Sequence, residues 1–445
     1  MVLAVAGIGY FVAAIIAARI FLASRGGPLA AFAPGVSILK SLKGLDPGMI
    51  DAFRSHCRQT YVGEIELLFG VSSLDDPAVA AVMQLREEFP ERAIGLIECP
   101  QRLGTNGKVS TLVQLAARAR YDFLLINDSD ITVSPRYLER VMGLFAPQSS
   151  NVKRGKAGKE VGMVTALYRG RAHGTLPSRF EALGIATDFL AGVLLSRMIE
   201  GGLGFGLGST LAVSRGALDK IGGLLPLVDF LADDNELGAR VARAGYRIAL
   251  SAEVVETAVP PYDWRGFSQH QLRWARTVRD ASPWGYLGLV FTHGLGWAVL
   301  NVVASGLSPV SLWLLGMSFF LRLTLAMMVG AEVLGDHQVL PICGCCPFAT
   351  WRRWACGRRA SPATRLSGAA NDFCLRAGSS TMPKNRRVSV LGGGDPKSSP
   401  LLKQPDSCCA HLSILTSTPK GCVIGVAKGP SDAISHSFPT TCCGI

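Results

Sequence analysis

Residues 123–130 read Phe123-Leu124-Leu125-Ile126-Asn127-Asp128-Ser129-Asp130, four apolar residues followed at once by an Asp-x-Asp turn. A short run that is apolar at every position suits a strand covered on both faces. Strand-type segments also occur at 36–39, 65–71 and 94–98, and helix-type segments at 47–57, 77–88 and 108–119 alternate with them. The helix at 77 opens on Pro77, whose fixed φ suits a first turn. Strands separated by helices of this length predict an α/β domain with a mainly parallel sheet and helices on both faces. Ligands of such sheets gather at the carboxyl ends of the strands. Asp75-Asp76-Pro77 ends the second strand and Asp128-Ser129-Asp130 the fourth, so both groups point to one edge.

Two carboxylates in an extended turn suit a hard divalent cation together with phosphate oxygens, although Asp and Ser are also ordinary turn residues. Asp76 precedes a helix and either caps it or contacts a nucleotide base or ribose. Residues 101–108 read Gln-Arg-Leu-Gly-Thr-Asn-Gly-Lys, a Gly-bearing loop that offers backbone N–H groups and the Lys108 ammonium to an anion, without the full phosphate-loop pattern. Asp233-Asp234-Asn235-Glu236 opens an amphipathic stretch that ends at Gly245. Acidic residues there favour the helix dipole, and one of them could serve as a general base. His270-Gln-Leu-Arg273-Trp274 stands shortly before an apolar region. Such a segment is either an interfacial anchor or the floor of a site where Arg273 meets a diphosphate and Trp274 stacks on a sugar or acceptor.

Hydrophobic residues make up 49% of the 445 and charged residues 18%, a balance that predicts segments in lipid. Residues 1–24 read as a transmembrane anchor. Arg19 and Arg25 follow its apolar run, so the positive-inside rule leaves the rest of the chain in the cytosol. Residues 284–335 read as two spans joined by a turn near Gly306-Leu-Ser-Pro309, and Arg322 inside the second must either face a partner helix or make that span shallow. Phe189 to Leu211 is largely apolar and reads equally as a membrane-facing wall or as a core helix followed by a strand.

The net charge of +12 does not indicate nucleic acid. Residues 336–445 hold 13 Lys and Arg against 5 Asp and Glu, so eight of the twelve excess charges lie there and the body lacks a basic stripe. Ten of the 12 Cys also lie from Cys343 onward. The two in the body, Cys57 and Cys99, fit a reducing compartment and no disulfide framework.

In this order the motifs resemble ceramide glucosyltransferase and its bacterial relatives, a family of GT-A-fold glycosyltransferases that includes hopanoid-modifying enzymes. The resemblance covers about residues 1–330. It rests on Val36-Ser-Ile-Leu-Lys40, Asp75-Asp76-Pro77, Gly104-Thr-Asn106-Gly-Lys108, Asn127-Asp128-Ser129-Asp130, Ala232-Asp233-Asp234 and the Arg273-Trp274 pair. It implies a GT-A-type, Rossmann-like mixed-sheet domain over 31–283 with flanking transmembrane helices. The donor would be UDP-glucose or another UDP-sugar, the cation Mg2+ or Mn2+, and the acceptor a lipid hydroxyl such as that of ceramide. Asp76 would contact the nucleotide, Asp128 and Asp130 the metal and diphosphate, and Asp234 would be the base of an inverting transfer. Transfer of N-acetylglucosamine to a hopanoid polyol is the second enzymatic reading, and a non-catalytic membrane scaffold the reading from another class. Three positions depart from the family pattern: His270 stands where Gln or Arg leads the Arg-Trp signature, Ser41 where Pro is common, and Asn235 where an aromatic is common.

From Asp336 the pattern changes to Ser, Pro, Gly, Lys and crowded Cys, with neither helical period nor strand alternation. Disorder is the expectation for 336–445, and a shifted reading frame after residue 335 would account for it. Translating the gene's other frames checks this: a frameshift requires an apolar continuation in one of them.

Overall fold

The computed structural model describes residues 1–25, 31–147 and 159–339. Expectations for 340–445 therefore lie outside the described residues.

The quoted stretch forms β4 (Phe123–Ile126), with Leu124, Leu125 and Ile126 buried. It pairs in parallel with β1 (Val36–Ser41), which pairs in parallel with β2 (Ile65–Val71), and β2 with β3 (Ala93–Glu98). The intervening helices α2 (Met49–Cys57), α3 (Ala78–Glu88) and α4 (Gly107–Ala116) sit close to the predicted positions. On the other side of β4 the sheet changes direction. The order is β3-β2-β1-β4-β6-β5-β7. Here β6 (Leu211–Ser214) runs antiparallel to both β4 and β5 (Val161–Ala172), while β7 (Arg247–Val259) runs parallel to β5. The sheet is thus mixed, as the GT-A type requires. The reversed strand puts the loop before β6 at the same edge as the turn after β4. Gly70 permits close packing at the centre: a Cβ there would lie 2.5 Å from Thr111 and 3.0 Å from Leu115 of α4.

Among the described residues, three helices are long and apolar enough to cross a membrane: Val2–Ser24, Leu176–Glu200 and Pro309–Val333. The first is α1. The second comprises α6 (Leu176–Gly184), a π-helical turn at Ile185–Phe189 and α7 (Leu190–Glu200). It is mostly buried, ends at Gly201 (φ 67°) and is followed by β6, so both readings of 189–211 meet in one element. The third comprises α13 (Pro309–Ala326) and a π-helical extension to Val333. Its start follows the predicted turn, with Gly306 and Leu307 at φ 60° and 64°, Ser308 capping and Pro309 in the first turn. The span expected before that turn differs. It divides at His293 into α11 (Pro283–Thr292) and α12 (Gly294–Ala304), and 11 residues of α12 reach only ~16 Å, about half a hydrocarbon core. Helix α12 packs instead on α1, where a Cβ on Gly7 would lie 2.2 Å from the Gly294 Cα.

Arg322 faces a partner. Its side chain is 1% exposed and donates to the Thr187 carbonyl (3.1 Å), the Thr187 hydroxyl (2.9 Å) and Asp188 Oδ1 (2.5 Å), all within the π-helical turn. The first residues of the predicted tail are ordered against the sheet, since Gln338 donates to the Gly170 carbonyl and accepts from the Ala172 N–H. Removing one partner of a buried pair strands the other charge. Arg322→Ala should therefore lower stability by about 3 kcal/mol, whereas the apolar double replacement Asp188→Leu with Arg322→Met should recover most of that loss. Thermal melting of the detergent-solubilised chain checks both, and equal stabilities of the single and double variants would contradict the pairing.

Candidate active site

Asn127 places the Asp-x-Asp turn. It is 1% exposed, and its amide nitrogen donates to the Ser209 carbonyl (2.6 Å) and the Tyr137 hydroxyl (3.1 Å). Its amide oxygen lies 3.2 Å from Nε2 of His56, an imidazole that burial and then Lys40 push down to about 3. Tyr137, on α5 (Tyr137–Met142), continues the network to Thr210 at 2.9 Å. The end of β4 is thereby tied to the loop before β6, which carries Gly208. Beneath the turn, the 1% exposed Lys40 donates to the Asp128 carbonyl at 2.9 Å. Burial pulls its ammonium down to about 7, against Asp130 and Asp128.

The Asp128 side chain is 44% exposed and its Oδ1 lies 2.6 Å from Lys108 Nζ, in the first turn of α4. Lys108 also lies 3.5 Å from Asp233 Oδ2. Burial lowers that ammonium, but Asp128 and Asp233 outweigh it and hold it above its ordinary value. Asp130 turns toward β7: its Oδ2 accepts from the Thr257 hydroxyl (2.5 Å) and the Ala258 N–H (2.9 Å). Burial raises its carboxyl, and Thr257 opposes the rise. Ser129 donates to Asp46 at 2.5 Å, which brings a further carboxylate to the rim.

Asp234 begins α9 (Asp233–Arg243) and accepts from the Gly208 N–H (2.9 Å) and the Asn235 N–H (2.7 Å). Burial, then Asp233, push it up to about 6, against Lys108 and the Asn235 N–H. Gly208 separates it from the Asp-x-Asp turn. A Cβ at 208 would lie 3.2 Å from Asp234 Oδ2 and 3.6 Å from Asp128 Oδ2, so glycine keeps this space open between the two carboxylates.

Asp76 stands apart. Its carboxylate accepts from the Ala78 N–H and the Gly44 N–H, each at 2.9 Å, so it caps α3 and clamps the loop after β1. It does not line the main cavity. Arg273 and Trp274 do, from α10 (Trp264–Ala281), and among the described residues no ion pair engages Arg273. The Trp274 ring meets Phe189 edge-on at 5.1 Å. The cavity measures about 1710 Å3. Lys108, Asp128, Asp130 and Asp234 line its polar end and Leu195 and Leu289 belong to its apolar wall.

Among the described residues no group of three or more His, Cys, Asp or Glu is placed to hold a metal. Asp128 and Asp130 supply oxygen donors suited to a hard cation, with further ligands left to phosphate or water. The arrangement can thus receive an anion beside Lys108 and Arg273 and a proton at Asp234. Lys40, Asn127 and Gly208 stood inside segments already quoted, but their roles depend on contacts across the sheet. Nothing local marks His56 or Asp46.

A mixed α/β sheet with an Asp-x-Asp turn and a carboxylate-lined cavity at its edge defines a GT-A-type glycosyltransferase. The chain belongs to Glycosyl transferase family 21, whose description matches residues 1–356. It is 27% identical to ceramide glucosyltransferase 3 of Caenorhabditis elegans over 221 residues, 49% of this chain and 45% of that protein. It is 24% identical to ceramide glucosyltransferase 1 of the same organism over 218 residues, 49% and 44% of the two chains. The chain thus spans under half the length of these curated relatives. Among solved structures it is similar to the mannosyltransferase PcManGT from Pyrobaculum calidifontis in complex with GDP-Man and Mn2+. That likeness has 17% identity and a TM-score of 0.44, and covers 80% of this chain and 98% of that one.

Asn127→Ala deletes the hydrogen bonds to Ser209 and Tyr137 and strands buried partners. It should cost about 3 kcal/mol in chemical denaturation of the solubilised chain; a loss below roughly 1 kcal/mol would contradict the network.

Proposed function

We propose that this chain transfers a hexose, glucose in the first instance, from a UDP-sugar to the hydroxyl of a lipid such as ceramide, with inversion. The observation that carries this reading is the continuity of one cavity from Asp128, Asp130 and Asp234 to an apolar wall on α7 and α11, beside helices of membrane-spanning length. A lipid alcohol can lie along that wall with its hydroxyl at the carboxylates. Family membership and the ceramide glucosyltransferase relatives support the same reading. By the positive-inside rule the site faces the cytosol, or the cytoplasmic face of an inner membrane.

In this mechanism Asp234 takes the proton of the acceptor hydroxyl as that oxygen attacks the anomeric carbon. The bond from that carbon to the diphosphate oxygen breaks on the opposite face, and UDP leaves with the electron pair. Gly208 and Asn235 hold the Asp234 carboxylate in place through their N–H groups. A carboxyl near 6 ionises at neutral pH yet stays basic enough to accept the proton. Lys108 and Arg273 meet the negative charge of the leaving diphosphate, and Trp274 packs against sugar or acceptor. Bound by Asp128 and Asp130, Mg2+ or Mn2+ would neutralise charge on the departing diphosphate. Asp76 serves the nucleotide end by fixing the loop after β1, with lone pairs left for a base or ribose hydroxyl.

Membranes containing the full chain, given labelled UDP-glucose or UDP-N-acetylglucosamine with ceramide or a hopanoid polyol, test the assignment. Glucosylated ceramide is the expected product; labelled hopanoid would replace it with the second reading, and no transfer from any UDP-sugar would overturn both. Asp234→Asn and Asp128→Ala should each lower turnover by about 10^2- to 10^4-fold in protein that stays folded and membrane-bound. Retained turnover in both would remove the assigned roles. Because the base must be ionised, turnover should rise as pH increases through about 6, and a flat profile across that range would exclude Asp234 as the base.

A further inference from the structure

A second, smaller cavity is separate from the carboxylate cluster. It measures about 270 Å3 and is lined by Ala182 and Leu183 of α6 together with Asp336 and Val339, which follow closely on the helix Pro309–Val333. Gly335, at φ 61°, turns the chain there. Asp336 is 2% exposed, yet only one of its oxygens is occupied. Oδ1 accepts from the Gln338 N–H (3.1 Å) and from the Gln338 side-chain amide (3.3 Å). Oδ2 is buried and, among the described residues, accepts from nothing.

The neighbouring cation does not fill that need. Arg169 Nη1 donates to the Leu334 and Gly335 carbonyls (2.9 and 3.1 Å), and Nη2 donates to Glu256 (3.1 Å). Burial raises the Asp336 carboxyl, while Gln338 and then Arg169 oppose the rise. A buried acceptor without a donor is costly, so a lone carboxylate oxygen on a residue that lines a cavity calls for a donor from outside the fold. Arg179 lines the same cavity from an exposed position on α6, and among the described residues no hydrogen bond or ion pair engages its guanidinium. A carboxylate and a guanidinium thus share one cavity without meeting each other.

The ligand that suits this pair carries N–H donors on a cation at one end and an anion at the other. A primary ammonium has three donors for the sheltered oxygen, and a phosphate matches the guanidinium fork. About 270 Å3 has room for many waters, and so for a phosphate joined to an amine by two carbons. A metal ion is a poorer match: hard cations take six or more oxygens, and among the described residues no group of three His, Cys, Asp or Glu is placed to hold one. The source follows from position. Asp336 lies three residues past the end of a helix of membrane-spanning length, where the polar headgroups of a bilayer lie.

We propose that this cavity binds the aminoethyl phosphate headgroup of a membrane lipid, with its ammonium donating to Asp336 Oδ2 and its phosphate meeting Arg179. Neither residue lines the main cavity, so this lipid is distinct from a sugar acceptor.

Calorimetric titration of the detergent-solubilised full chain with dihexanoyl-phosphatidylethanolamine, the matching phosphatidylcholine and phosphatidylglycerol, and free phosphoethanolamine tests the proposal. The ethanolamine lipid should bind about tenfold more tightly than the choline lipid, whose methylated cation has no N–H to donate, and the glycerol lipid, which has no cation, should bind no better than the choline lipid. Asp336→Asn should weaken binding of the ethanolamine lipid by about tenfold, and Arg179→Gln, at an exposed position, by about two- to fivefold. Should Asp336→Asn fail to fold, Arg179→Gln and the comparison of headgroups on the parent chain decide alone. Equal affinity for the ethanolamine and choline lipids, or unchanged affinity in both variants, would overturn the site. Free phosphoethanolamine binding as tightly as the lipid would overturn the membrane source, and no binding of any of the four to the parent chain would overturn the proposal entirely.

Discussion

The ammonium of Lys108, 2.6 Å from Asp128 and 3.5 Å from Asp233, makes the carboxylate cluster tenable. Asp46, Asp128, Asp130, Asp233 and Asp234 crowd one end of a cavity whose far wall is apolar. Like charges at such separations raise one another's proton affinity, and a counter-charge among them opposes that rise. Burial and then Asp233 lift Asp234 to about 6, and Lys108 opposes that rise. One cation thereby joins Asp128 to Asp233 and tempers the carboxyl beside them. Its own place follows from Asn106, which caps α4 by accepting from the Val109 N–H and ties that helix to Phe230 and to Asp233 at the start of α9.

The fold was legible where residue pattern and environment agree. Phe123 to Ile126 is apolar throughout because β4 is covered on both faces, and the alternation up to that point yields the parallel half of the sheet. The second half was harder to read. The reversal at β6 leaves no mark in Leu211-Ala-Val-Ser214, since a four-residue apolar run looks the same in either direction. The region after residue 284 is a related case: composition is apolar across His293, but the helix divides there and both short helices pack on α1.

The candidate site divides in the same way. Asp128, Asp130 and Asp234 could be named because carboxylates at strand and helix ends are conspicuous, and the structure brings Asp128 and Asp234 to either side of Gly208. Asp76 was conspicuous for the same reason, yet its oxygens are occupied by backbone N–H groups of α3 and the loop after β1. What decides between cap and ligand is the cross-sheet partner, which spacing along a chain does not encode.

Arg322 gives the helix of membrane-spanning length at Pro309–Val333 a place in the history of each molecule. Its guanidinium reaches back 134 residues to Asp188, across the stretch of chain that supplies β6 and β7. As the chain emerges from the ribosome, the turn that carries the cavity residues Asp188 and Phe189 waits for a residue still to be made. A nascent chain that has finished its sheet therefore still lacks the guanidinium that meets Thr187 and Asp188 in the folded protein.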